Sequence, residues 1–289
     1  TTVNLIELQS EIVWTGKPNR ATVAQPSFMK VWMAERIKNI VIIGGGTAGW
    51  ITAGLLAARH PDRSKDGISI TLVESPDIPI IGVGEGTWPT IRKTLSRIGI
   101  KEADFLSTCG ASFKQGSRFD GWVDGAESDS YHHPFELPVS QNTNELLHAW
   151  QTFAPEKTFS DALCVQGGVG HDGLAPKQRS MPDFVGAMNY AYHLDAVKLG
   201  GLLRRHVVEN LGVTHILDHV TGVQNDIDGN IKSVQTRENG SIEGDLFIDC
   251  TGQKSLLLGE HYGVEFVDQS HVLFNDRAIV AQVPLGERD

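Results

Sequence analysis

Cysteine is scarce in this chain. The three residues present, Cys109, Cys164 and Cys250, are far apart and odd in number. They offer no disulfide framework and no cysteine-rich metal site, and a reducing, cytoplasmic compartment suits them. No apolar stretch approaches the roughly 20 residues that span a bilayer, so no membrane segment is expected. The N-terminus lacks the basic-then-apolar order of a signal peptide. Positive charge is also in deficit: 25 Lys and Arg stand against 35 Asp and Glu, a formal net charge of −10. No Lys/Arg cluster is long enough to track a phosphate backbone, which argues against a nucleic-acid partner. Internal repeats and low-complexity tracts are missing as well. What is present is ordinary for a globular chain: 289 residues, 40% hydrophobic and 21% charged, enough to bury a sizeable core.

Residues 1–35 show no convincing period and read as an N-terminal extension. From residue 36 onward the pattern sharpens. Ile37 to Ile43 is a β-branched run bounded by glycine, as in a buried parallel strand. Gly44 to Gly49 is a turn, Trp50 to Arg59 a helix rich in Ala and Leu, and Ile68 to Glu74 a second strand, which together make a βαβ unit. Thr87 is placed to cap a helix from about Pro89 to Arg97. A short helix over Glu102 to Cys109 and a strand over Ser112 to Trp122 follow. Residues 125–185 are loop-rich and too long for a passive connector. From His193, the residues Leu194, Val197, Leu199, Leu202, Leu203 and Val207 stripe a helix ending near Gly212. Val213 to Leu217 is a strand. Val220 to Gln224 and Ile231 to Arg237 flank an Asp228-Gly229 turn, and Asn239-Gly240 marks a second hairpin. Leu246 to Cys250 reads as a buried strand, and Arg277 to Val283 as strand-like.

The turn Gly44-Gly45-Gly46-Thr47-Ala48-Gly49 satisfies G-x-G-x-x-G. Gly44 makes the tight bend, Gly46 lets the backbone approach a pyrophosphate, and Gly49 lets helix and strand pack closely. The helix start then presents free N–H groups, including those of Thr47 and Ala48, and a positive dipole end. Glu74, ending the second strand, stands where a carboxylate accepts ribose hydroxyls. Gly168 to Gly173 fits the same expression, but no strong strand precedes it and Pro176 interrupts any following helix, so it reads as a loop. Two features favour FAD over NAD: the late strand running into Thr251-Gly252, and the want of a second convincing site for NAD(P)H. The expected fold is α/β, a Rossmann-type FAD-binding fold of the two-domain flavoprotein monooxygenase or halogenase kind, with β-hairpin additions.

Three segments carry a more specific likeness. Gly44 to Trp50, then Gly82-Val83-Gly84-Glu85-Gly86-Thr87-Trp88-Pro89-Thr90, then Ser112-Phe113-Lys114, joined by the late Asp245 to Gly252, resemble the flavin-dependent tryptophan halogenases in order and spacing. The resemblance runs from about Ile37 to Pro284. It implies a two-component system in which a separate flavin reductase supplies reduced FAD. Oxygen and a halide, chloride or bromide, then yield hypohalous acid, which a tunnel carries to a lysine that delivers halogen to an indole or other aromatic ring. Lys114 matches that lysine, and a desolvated ammonium or amine there would hold and polarise an oxyacid. Gly82 to Gly86 matches the strap over the flavin. The resemblance further implies cofactor contacts at Ser75, Ile81, Val83, Gly86 and Val220, and a substrate-clasping pair at His133 and Phe135; a one-residue slip would exchange His133 for His132. No metal site is expected, and a homodimer is left open. The family's catalytic glutamate and its Trp-x-Trp-x-Ile-Pro signature fall beyond Asp289, so residues 36–289 are expected to be a halogenase-like FAD domain incomplete at its C-terminus. A flavin monooxygenase and an inactive FAD-binding fragment are the competing expectations.

Overall fold

The computed structural model describes residues 37–279 apart from 65, 80–83, 139 and 141. The N-terminal extension at 1–35 lies outside the described residues. Strand β1 (Asn39–Ile43) leads into helix α1 (Thr47–Arg59) and strand β2 (Ser69–Glu74). Together with two later strands, β8 (Thr214–Leu217) and β12 (Leu246–Asp249), they form a parallel four-stranded sheet in the order β12-β1-β2-β8. Because β1 has a strand on each side and a layer on each face, all of Ile40, Val41, Ile42 and Ile43 are buried, which is why the run shows no alternation. Ile40 and Ile42 join Trp50, Ala53 and Ala57 of α1 in the main core. Val41 and Ile43 face the other way, toward Val73, Val234 and Leu257.

That second face is covered by an antiparallel meander of β9 (Val220–Asn225), β10 (Ile231–Thr236) and β11 (Ser241–Glu243). Its turns use Gly229 at φ 87° and Gly240 at φ 70°, where the missing Cβ removes the usual penalty. A separate antiparallel sheet, ordered β3-β7-β4, joins β3 (Gly84–Gly86), β4 (Ser112–Lys114) and β7 (Ala191–Asp195). Between the two sheets lie α1, α2 (Thr90–Ile98), α3 (Glu102–Thr108) and α7 (Ala196–Glu209), which contribute Leu95, Ile98, Phe105, Leu199, Leu203 and Val207 to the core.

Several sequence expectations need correction. Ser112 to Trp122 is two strands rather than one: β4 ends at Lys114, and β5 (Gly116–Asp120) pairs with β6 (Ser130–Pro134) as a hairpin. Gly116, at φ 144°, makes the break. Leu194 belongs to β7, and α7 starts only at Ala196, where the Asp195 carboxylate accepts from the Lys198 N–H at 3.0 Å. Val197 is 49% exposed and falls off the apolar stripe. Thr87 caps no helix; its hydroxyl donates to the Tyr192 carbonyl at 3.1 Å and accepts from the Tyr192 N–H at 3.0 Å. The 125–185 stretch holds β6 and three helices, α4 (Thr143–Phe153), α5 (Phe159–Leu163) and α6 (Gln166–His171). The second glycine match is therefore partly helical. Buried Gln166 fixes it by accepting from the Phe135 and Glu136 N–H groups, each at 2.8 Å. β12 is half-buried, not buried, because it is an edge strand of its sheet. Arg277–Ile279 form no strand, and the rest of that segment lies outside the described residues.

A charged knot lies under β7. The Glu102 carboxylate is buried and accepts from the Tyr190 and Tyr192 hydroxyls at 2.7 and 2.6 Å and from the Phe184 N–H at 2.7 Å. It also pairs with the Lys177 ammonium. Burial alone would push this carboxyl up, but the four donors outweigh it and hold it below the usual carboxylate range. Removing one member leaves buried partners uncompensated, so Glu102→Ala should cost about 3 kcal/mol in urea unfolding. The sign with pH follows from the depressed folded value. The stabilisation is complete above the unfolded carboxyl's pKa of about 4.3 and is lost as pH falls through the lower folded one. Wild type should therefore lose more stability than the variant on acidification below that point.

Candidate cofactor turn and lysine face

At the C-terminal tips of β1 and β2, the three fingerprint glycines are required for three different reasons. Gly44 has φ 112°, and a Cβ there would meet the Cys250 carbonyl oxygen at 2.3 Å. A Cβ on Gly49 would stand 1.9 Å from the Gly44 carbonyl oxygen, so nothing larger lets α1 close on β1. Gly46 is different: a Cβ there would touch nothing within 4 Å. Its freedom faces open space at the helix start. No side chain caps α1 and no acid occupies its first turn. The first N–H groups of a helix have no intrahelical acceptor and sit at the positive dipole end, so the turn is built to receive an anion. Thr47 and Ala48 supply that first turn, with Ala48 exposed.

Glu74 lies beside this turn, at the tip of β2. A Cβ on Gly45 would collide with its Cγ and Cδ at 2.3 Å and its Oε1 at 2.5 Å, so the middle glycine of the triplet is what allows the carboxylate to fold over the turn. Glu74 Oε2 is 2.8 Å from His215 Nε2 on neighbouring β8. That is an ion-pair distance without hydrogen-bond alignment, and neither atom has a hydrogen-bond partner among the described residues. Ser75 Oγ lies 3.3 Å from His219 Nδ1, and His219 Nε2 lies 2.9 Å from Asp77 Oδ2. Val220 opens β9 beside this corner, paired with Thr236. Ile81 and Val83 lie outside the described residues. Open space at Gly46, uncapped helix donors and a carboxylate beside the turn are the features that the diphosphate-ribose half of a dinucleotide would need.

Lys114 belongs to the other sheet. On β4 it pairs with Ala191 of β7, while Gly86 of β3 and Ser112 both pair with His193. Residues two apart on a strand share a face, so Ala191 and His193 share the Lys114 side while Tyr190, Tyr192 and Leu194 face the core. A Cβ on Gly86 would come within 3.2 Å of Lys114 Nζ and 3.4 Å of His193 Nδ1. Lys114 Nζ sits 5.4 Å from the Trp88 ring centroid and 5.6 Å from that of Phe135, and the two rings are 5.5 Å apart. A cavity of about 590 Å³ opens here, with Lys114, His132, His193 and Arg118 in its lining. Burial, helped by the Lys114 charge, lowers the pKa of His193 and favours a neutral imidazole. Phe135 is buried against this group, whereas His133 is exposed and it is His132 that lines the cavity. Sequence reasoning passed over Gly45, His215 and His193, and gave Trp88 no role; strand alternation from Lys114 could have found only its own neighbours.

A parallel sheet with this turn in its first βαβ unit, an acid at the tip of the second strand and an antiparallel sheet beside it defines a Rossmann-like flavoprotein fold. Residues 39–288 match the family described as tryptophan halogenase, and the chain belongs to that family. It is 35% identical over 268 residues to tryptophan 7-halogenase RebH of Lentzea aerocolonigenes, covering 87% of this chain and 49% of that protein. Its identity to tryptophan 6-halogenase ThaL of Streptomyces albogriseolus is 34% over 269 residues, with coverage of 87% and 49%. The crystal structure of a tryptophan halogenase from Shewanella frigidimarina superposes with a TM-score of 0.79 at 51% identity, over 84% of this chain and 48% of that one. The chain thus spans about half the length of these relatives.

The contrast among the glycines gives a test. Gly46→Ala meets no atom within 4 Å, so its melting temperature should stay within about 2 °C of wild type, yet its methyl group narrows the phosphate approach. FAD affinity by flavin fluorescence titration should fall about tenfold or more. Gly49→Ala, by contrast, should lower the melting temperature itself.

Proposed function

We propose that this chain forms the FAD-binding and lysine-bearing part of a flavin-dependent halogenase that acts on an indole or other aromatic ring. The observation that carries the reading is Lys114 Nζ, held beneath the Trp88 and Phe135 rings on the wall of a cavity, in a chain whose first βαβ turn is open to a dinucleotide. When bound, reduced FAD supplies, with oxygen and chloride or bromide, the oxidised halogen.

The protein groups do the rest. Gly44, Gly46, Thr47, Ala48 and Gly49 bind the diphosphate through backbone donors, and Glu74 accepts the ribose hydroxyls. The family resemblance assigns further cofactor contacts to Ser75, Ile81, Val83, Gly86 and Val220. Lys114 holds hypohalous acid with its ammonium donors and directs the electrophilic halogen at the ring. The Trp88 and Phe135 rings lie beside Lys114 Nζ, and the half-exposed Trp88 ring offers an apolar face to a flat substrate; the family resemblance assigns His133 with Phe135 to the substrate clasp, and His132 is the histidine on the cavity wall. The family resemblance assigns reduction of the flavin to a separate flavin reductase. No described helix is long and apolar enough to cross a membrane.

Lys114→Ala in the whole protein should reduce halogenated product at least 100-fold, to background, while flavin oxidation and hydrogen peroxide release continue; about 3 kcal/mol of transition-state stabilisation corresponds to that loss. Product formation and peroxide are measured in parallel by liquid chromatography and a coupled peroxidase assay. Undiminished product would remove Lys114 from the mechanism.

A further inference from the structure

One pair in the molecule is left unexplained by the family resemblance: Glu74 and His215. They sit on adjacent strands, β2 and β8, in a register that pairs Leu72 with His215 and Glu74 with Leu217. His215 therefore reaches diagonally along the sheet to bring Nε2 to 2.8 Å from Glu74 Oε2. Both side chains are largely buried, at 18% and 14% exposure. His215 meets Trp50 edge-on at 5.0 Å, and Trp50 is fully buried in α1, so the imidazole is wedged between the phosphate-binding helix and the acid. The opposite side of the carboxylate rests on Gly45, with Oε1 toward the turn. Lys198, Arg204, Arg205 and Glu209 of α7 border the same concavity as His215, but among the described residues only His215 comes within ion-pair range of Glu74.

A carboxylate that accepts two vicinal hydroxyls must be held in one rotamer, because a free Glu side chain loses rotamer entropy on each binding event. We propose that His215 is a positioning residue for the ribose site: it engages Oε2 of Glu74 from beneath and leaves Oε1 aimed at the ribose hydroxyls beside Gly45. This rests on the reading of the turn as an FAD site. It assigns the imidazole no contact with the cofactor and no part in the redox chemistry.

The test separates hydroxyl recognition from general stability. ADP and 2′,3′-dideoxy-ADP are titrated by calorimetry, with FAD titrated by fluorescence. Wild type should bind FAD and prefer ADP by about tenfold, the worth of a hydrogen bond to a charged group. His215→Phe keeps a ring against Trp50 but has no nitrogen. It should bring the ADP preference close to unity and weaken FAD about tenfold, while dideoxy-ADP affinity stays the same. Should His215→Phe lose its near-ultraviolet circular dichroism, His215→Asn, whose shorter amide does not reach Oε2, takes its place with the same expectation. A wild-type ADP preference surviving in His215→Phe or His215→Asn overturns the proposal. Wild type that binds FAD without distinguishing the two nucleotides overturns it also, and leaves the FAD reading standing. Wild type that binds no FAD removes both.

Discussion

The carbonyl oxygen of Gly44 occupies the place where a Cβ of Gly49 would be, 1.9 Å away. That contact draws the first turn of α1 down onto the tip of β1. The same Gly44 is pressed on its other side by the Cys250 carbonyl, where β12 ends. β1, the α1 that follows it and the distant β12 thus converge on a point with no room for any side chain. Backbone atoms in such a position cannot yield by changing a rotamer. The helix start is therefore held where the parallel strands end, which is where open α/β sheets present ligands. Glu74 completes the arrangement because Gly45 lets it lie across the turn. The four consecutive positions from Gly44 to Thr47 hence carry separate demands: a left-handed bend, room for an acid, an open approach and a helix start.

The lysine face rests on a different constraint, the alternation of β7. Tyr190, Tyr192 and Leu194 are buried and hold the strand against the core, while Ala191 and His193 stand on the cavity side with Lys114. Glu102 ties both tyrosine hydroxyls to α3, so β7 is fixed by polar bonds as well as by packing. Ala191 opposite Lys114 matters too, since a larger partner there would crowd the lysine.

How much of this was legible in the sequence depended on range. The opening βαβ unit is written locally: a β-branched run, three glycines, an alanine-rich helix and an acid all fall within residues 39–74. The hairpin turns at Asp228-Gly229 and Asn239-Gly240 were legible for the same reason. The break at Gly116 was not, because Phe113 and Phe119 keep the same alternation phase on either side of it while φ reverses. Leu194 stands at helical spacing from Val197 and Leu202 by coincidence, and only pairing with β3 puts it in a strand. The α6 helix defied its own glycines because Gln166, buried beneath it, binds Phe135 and Glu136 from another segment. His215 was invisible for want of any local signal. Its partner lies on a strand more than a hundred residues earlier, and parallel pairing alone brings them together.

The two centres are joined by one short stretch of chain. It leaves the turn at Glu74 and Ser75 and enters the lysine face at Gly86. Its first end is fastened through His219, which lies against both Ser75 and Asp77. Its second end is fastened as β3, hydrogen-bonded along β7. Gly86 sits in a regular strand without a left-handed φ. A Cβ there would press on the neighbouring side chains, at 3.2 Å from Lys114 Nζ and 3.4 Å from His193 Nδ1. A glycine in that strand thus reports on the lysine, much as Gly45 reports on the acid. In both centres the smallest residue marks where a charged side chain has been folded over the backbone, and such glycines deserve the same scrutiny as the charged residues themselves.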